Sequence, residues 1–255
     1  MGKIYFASDF HLGADASTNS RVREKWILSW LQNIQSDAEV LYLLGDVFDF
    51  WFEYSKVVPK GYVRLMGSLA EMRDNGLPIY FFTGNHDMWI FRYFEDELGI
   101  PTFRSPQILT LQGTECMIGH GDGLGPGDHG YKLLKKVFAN PACQWLFERI
   151  HPNLGIRIAE YWSGKSRYAN QYLDVYTQKE AEWLYQYCES VLSETNCQYY
   201  IFGHRHIPID LQLSNGKSRY INTGEWMYSR SYAFMENGHL ELAFFENEDG
   251  KIHYS

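Results

Sequence analysis

With 255 residues, 45% of them hydrophobic and 17% aromatic, the chain has enough apolar mass for one sizeable core. A formal net charge of −8 excludes a broad nucleic-acid surface, which leans on clustered Lys and Arg. No run approaches the ~18 apolar residues of a membrane span, no signal peptide precedes the first strand-like run, and the four cysteines lack close pairing, so a cytoplasmic protein with reduced thiols is expected.

In chain order, Ile4 to Ala7, Val40 to Leu44, Ile79 to Thr83, Cys116 to Gly119 and Tyr199 to Phe202 are short apolar or aromatic runs that predict buried strands. Between the early ones lie helical spacings: Trp26, Leu28, Trp30, Leu31 and Ile34, then Val63, Leu65, Met66, Leu69 and Met72. Strand, helix, strand repeated in this way implies βαβ units, whose ligands gather on one rim beyond the carboxyl ends of the strands. From Tyr131 to Trp162, apolar residues including Leu133, Leu134, Phe138, Trp145, Phe147 and Ile158 alternate with Lys132, Lys135, Lys136, Arg149 and Arg157. This predicts a pair of amphipathic helices. Ordinary core is the commoner meaning of such spacing; the sharper one is a lid with an apolar groove and a basic face for diphosphate or anionic headgroups. The last third reads as mostly β, with runs Ile209 to Leu213, Arg219 to Asn222, Tyr232 to Met235 and Leu240 to Phe245. Hairpin signals at Ser214-Asn215-Gly216-Lys217 and Glu236-Asn237-Gly238 separate them, and a second sheet is implied.

Each of the five buried runs ends just before potential metal ligands: Asp9 and His11, Asp46, Asn85, His120, and His204 with His206. Carboxylates, an amide and imidazoles without thiolates suit Mn, Fe, Zn, Ni or Co. Seven donors exceed one tetrahedral zinc site with an open position but fit two ions sharing a bridging carboxylate. Any one of these histidines alone would more often be structural; their order along the chain is what argues for metal.

The blocks Asp9-Phe10-His11, Gly45-Asp46-Val47-Phe48-Asp49, Gly84-Asn85-His86-Asp87, Gly119-His120-Gly121-Asp122 and Gly203-His204-Arg205-His206 resemble the ordered signature of the calcineurin-like metallophosphoesterases. The resemblance implies a four-layer α/β/β/α sandwich of two mixed sheets, as one domain over residues 1–255 with a helical lid insertion at about 130–175. It implies two divalent ions, manganese being the expected pair: Asp9, His11 and His206 would hold one, Asn85, His120 and His204 the other, and Asp46 both. His86 would face the phosphate as acid or electrostatic stabiliser. Asp49 and Asp87 would support from behind, Asp49 by orienting a ligand histidine.

Within that superfamily the chain looks most like the bacterial UDP-2,3-diacylglucosamine diphosphatases of lipid A synthesis, on the run from His120 through Asp128 to Tyr131, on Ser166 and Ala169-Asn170, and on Gly224-Glu225-Trp226. That likeness implies a UDP-linked acylated sugar as substrate, touched by Asn85, His86, Asp128, Ser166, Asn170 and His204. It also implies peripheral contact with the cytoplasmic face of the inner membrane and no obligate protein partner. Two departures concern the exact substrate: His86 and Leu173 stand where those enzymes carry arginine and lysine. Three rival readings stay open: a metallophosphoesterase for another nucleotide pyrophosphate, phosphodiester or phosphoprotein, a non-catalytic scaffold of the same fold, and a nuclease.

Other features are weaker. Ser163-Gly164-Lys165-Ser166 imitates the end of a phosphate-binding loop, but Ala159 replaces its first glycine and no strand precedes it. Phe50, Trp51, Phe52 and Tyr54, with Trp89, Phe91, Tyr93 and Phe94, crowd behind two metal blocks and read as packing first and pocket walls second.

Overall fold

Strand β1 (Lys3–Ala7) sends Ile4 and Phe6 into one apolar cluster and Tyr5 and Ala7 into another, because successive side chains leave opposite faces of a strand. The computed structural model in which this is seen describes residues 2–15, 18–127, 129–170 and 178–254, with side chains for all of these except 165–170, 180 and 254. Helix α1 (Ser20–Ile34) starts where Asn19 caps the Arg21 amide, and it buries Ile27, Trp30, Leu31 and Ile34. Then follow β2 (Ala38–Leu43), α2 (Val63–Asp74) with Leu65, Leu69 and Met72 buried, β3 (Ile79–Phe82), α3 (Tyr93–Leu98) and β4 (Thr102–Phe103). The predicted βαβ units are present: β1 to β4 run parallel in sequence order.

After the hairpin β5 (Gln107–Leu111) and β6 (Thr114–Ile118) come α4 (His129–Ala139), α5 (Pro141–Glu148) and α6 (Pro152–Asn170). Helix α7 (Trp183–Thr195) leads to β7 (Tyr199–Phe202), β8 (Pro208–Gln212) and β9 (Arg219–Thr223). The last strands are β10 (Ser231–Glu236), β11 (His239–Phe244) and the short β12 (His253–Tyr254). Two six-stranded mixed sheets result, ordered β11-β10-β1-β2-β3-β4 and β12-β8-β9-β7-β6-β5. One cluster joins the outer face of the first sheet to α1, α2 and α3, a second fills the space between the sheets, and a third joins the second sheet to α7. This is the expected α/β/β/α layering.

The structure corrects three details of the sequence reading. The carboxyl-terminal strands do not form a sheet of their own: β10 lies antiparallel beside β1, Ile4 facing Met235, and covers an edge that the parallel sheet would leave open. The metal blocks border both sheets, since β6 and β7 belong to the second. Among the described residues the insertion has three helices, not two. Asn140 caps α5 ahead of Pro141 at its first turn, and Pro152 opens α6, so the apolar periodicity is cut twice.

The insertion docks through aromatics. Phe138 and Phe147 pack on Phe52, Tyr54 and Trp89, and the Trp89 indole donates to the Phe138 carbonyl at 2.9 Å. Of the aromatics behind the second and third blocks, Phe52, Tyr54 and Trp89 form the seat of the insertion, whereas Trp51 and Phe94 belong to the core under α1 to α3. Its own apolar face is not core: no residue of α4 or α5 is buried, and Leu133, Trp145, Leu146 and Leu154 lie exposed, as do Tyr161 and Trp162 on α6.

Candidate metal centre

The ligand blocks turn sharply. Asp9, His11, Asp46, His204 and His206 have φ of 56°, 44°, 51°, 71° and 54°, a left-handed backbone that side chains with a Cβ seldom adopt. Each such residue costs on the order of 1–3 kcal/mol, so the surrounding structure must hold it there. Neighbouring glycines make room. A Cβ on Gly45 would stand 2.7 Å from His120 Nδ1, one on Gly84 would meet the Asp46 carboxylate, and one on Gly203 would meet Ser8 Oγ and the Asp9 carboxylate.

All seven predicted ligands converge. Asp9, His11, Asp46 and His206 offer donor atoms within 4.8 Å of one another, as do Asp46, His120 and His204. Asn85 joins the second group, its Oδ1 lying 3.2 Å from His120 Nε2. Asp46 alone belongs to both groups.

Within each group, nitrogen and oxygen atoms able to bind a cation face one another. His120 Nδ1 lies 2.7 Å from the Leu44 carbonyl, which can only accept, so the neutral ring carries its proton there and turns a lone pair at Nε2 toward Asp46 Oδ2, 3.3 Å away. His11 Nε2 and His206 Nε2 stand 3.1 Å apart, with Asp9 Oδ1 3.3 Å from the latter. Asp9 Oδ2 accepts from Ser8 Oγ and from the His204 amide, while Asp46 Oδ1 accepts from the His86 amide. Asp9 Oδ1 and Asp46 Oδ2 are buried and have no hydrogen-bond partner among the described residues. Buried carboxylate oxygens facing imidazole lone pairs are what a pair of cations would satisfy. Burial opposes charge on His120, yet the Asp46 carboxylate raises it to about 10, while burial and the neighbouring His120 push His204 down to about 4.

The supporting carboxylates divide the work. Asp49 Oδ1 lies 3.5 Å from His11 Nδ1 and 3.7 Å from His86 Nδ1, so the expected orienting carboxylate stands between a candidate ligand and the candidate acid. Asp87 acts through backbone instead: its carboxylate accepts from the Gly84 and Val47 amides at 2.7 and 2.9 Å, tying the third block to the second. His86 itself is lowered to about 4 by burial, and its Nδ1 lies 2.8 Å from the Asp49 carbonyl. Asp128 and Leu173 lie outside the described residues, as do the side chains of Ser166 and Asn170.

Several supports were not singled out from sequence. Buried Arg23 donates to the carbonyls of Phe10, His11 and Ala14 at 2.7, 2.6 and 2.6 Å and so holds the first block. Its signal was present: Arg23 is in helical phase with Ile27, Trp30 and Ile34, a charge on an apolar face. Arg205 donates through Nε to both oxygens of Glu182 at 2.9 Å beneath the fifth block. Two of the insertion's basic residues are engaged locally, Lys135 with Asp122 at 2.6 Å and Lys132 with the Gly125 carbonyl at 2.5 Å.

A sequence model of calcineurin-like phosphoesterases matches residues 2–208. A UDP-2,3-diacylglucosamine hydrolase from Porphyromonas gingivalis is 34% identical over 262 residues, covering 96% of this chain and 98% of its own. Its namesake from Shewanella piezotolerans is 29% identical over 245 residues, with 94% and 97% covered. Among solved structures, a hypothetical protein from Pyrococcus horikoshii superposes with a TM-score of 0.51 at 9% identity, covering 98% of this chain and 90% of that one; this likeness shows the fold alone.

Proposed function

Because the chain belongs to the calcineurin-like phosphoesterase family, we propose that this metal-dependent hydrolase cleaves the diphosphate of UDP-2,3-diacylglucosamine at the α phosphorus, releasing UMP and 2,3-diacylglucosamine 1-phosphate. The observation that carries the chemistry is the pair of donor groups sharing Asp46, with buried Asp9 Oδ1 and Asp46 Oδ2 lacking a hydrogen-bond partner among the described residues. The names borne by the Porphyromonas and Shewanella relatives support the substrate.

Asp9, His11 and His206 would hold one divalent ion, Asn85, His120 and His204 the other, and Asp46 both. Bound there, the ions, manganese being the expected pair, would supply a nucleophilic water at neutral pH and a clamp on the phosphate oxygens. His86 keeps Nδ1 occupied by the Asp49 carbonyl, which leaves Nε2 for the substrate. A diphosphate beside the ring would raise its proton affinity again and let it stabilise the developing charge, worth ~10²-fold or more. Asn85 and His204 would also touch the phosphates, and Asp128, Ser166 and Asn170 the headgroup. The exposed apolar face of α4 to α6 would act as a lid for the acyl chains and as the place of peripheral membrane contact; among the described residues no helix is long and apolar enough to cross a membrane.

A phosphoesterase for soluble esters would keep every donor but have no use for exposed Leu133, Trp145 and Leu146. The test is UMP release from UDP-2,3-diacylglucosamine with manganese, against water-soluble UDP-sugars and other diphosphates. Turnover of the lipid at least about ten-fold above the soluble panel is expected. Equal or better turnover of soluble diphosphates would refute the assignment.

A further inference from the structure

The insertion meets the catalytic centre at a polar point that no ligand role uses. Ser163, on α6 between exposed Trp162 and Gly164, is itself buried. Its hydroxyl donates to Asp49 Oδ2 at 3.0 Å and lies 3.2 Å from His86 Nδ1. The Asp49 carbonyl, 2.8 Å from the same nitrogen, can only accept, so Nδ1 is the protonated position and Ser163 Oγ is its second acceptor. One hydroxyl thus touches both the candidate acid and the carboxylate whose other oxygen faces His11 Nδ1 at 3.5 Å. A buried serine fills space poorly and must find partners; here Asp49 and His86 are two of them, and both belong to the site.

We propose that Ser163 is a positioning residue: carried by α6, its hydroxyl fixes the His86 ring and the Asp49 carboxylate, so the imidazole is aligned only while the insertion is docked. The same insertion is anchored by Phe138 and Phe147 on Phe52, Tyr54 and Trp89, so ring alignment and docking are mechanically one event. This inference rests on the role proposed for His86.

The test is a double-mutant cycle on the manganese-loaded protein with Ser163→Ala, His86→Ala and the pair. Turnover is measured on UDP-2,3-diacylglucosamine and, in parallel, on bis(p-nitrophenyl) phosphate, which needs no lipid groove. Ser163→Ala should lower kcat about ten-fold with KM within about two-fold of wild type, and should cost almost nothing further in the His86→Ala background. A kcat within about two-fold of wild type, a loss carried by KM, or an undiminished loss without His86 would overturn the proposal. Alanine is a good helix former, and a thermal melt of each variant confirms that the cycle compares folded proteins. Should the wild type ignore the lipid but cleave the diester, the substrate assignment fails while the cycle on the diester still decides the role of Ser163.

Discussion

Asp46 is the residue on which the two donor groups depend, and its left-handed backbone, flanking Gly45 and shared carboxylate all serve that position. Asp46→Ala should bring bound manganese from two ions per chain toward none and lower turnover on the order of 10³-fold, read by elemental analysis and UMP release. Asp49→Asn keeps the shape but removes the charge 3.5 Å from His11 Nδ1, and should cost about 10- to 100-fold in metal affinity or activity. A metal titration of this variant unchanged from wild type would show that Asp49 is only packing. The donor types were legible because chemistry selects them: oxygen and imidazole groups placed after apolar runs. Their strained backbone was not legible, since Asp and His carry no local preference strong enough to announce φ near 50° without the tertiary contacts that enforce it.

At the scale of elements, α1 and the insertion each brace the site. Arg23 turns the start of α1 into a clamp on the first block, and Arg23→Ala would take the guanidinium donor from the carbonyls of Phe10, His11 and Ala14. A loss of about 3 kcal/mol in urea unfolding is expected, with weaker manganese binding. Phe147→Ala should loosen α5 from Phe52, Tyr54 and Trp89 at a cost of about 2 kcal/mol or more, speeding amide exchange in α4 to α6 while β1 to β3 stay protected. The strands read from sequence fall within two residues of their observed bounds because their apolar runs are continuous, whereas the two-residue β4 and β12 and the half-exposed β5 carry no such run. The helix count of the insertion was not, because apolar spacing persists across Asn140-Pro141 and His151-Pro152 and only the capping chemistry marks the breaks.

In the whole molecule, ligands from strands of two different sheets meet at one end of the sandwich, joined by contacts such as the His204 amide to the Asp9 carboxylate at 2.9 Å. Sequence order predicted the parallel half, since βαβ connections constrain neighbours. It did not assign β10 and β11 to the first sheet, because a hairpin signal says which strands pair with each other and nothing about which open edge they complete. The apolar face left outside on α4 to α6 is the other whole-molecule feature that spacing alone could not separate from core. The central claim, two ions gripped by seven side chains from both sheets, is tested most directly by anomalous scattering from a manganese-soaked crystal. Two peaks about 4 Å apart are predicted, one beside Asp9, His11 and His206, the other beside Asn85, His120 and His204, with Asp46 reaching both. A single peak, or peaks remote from Asp46, would contradict it.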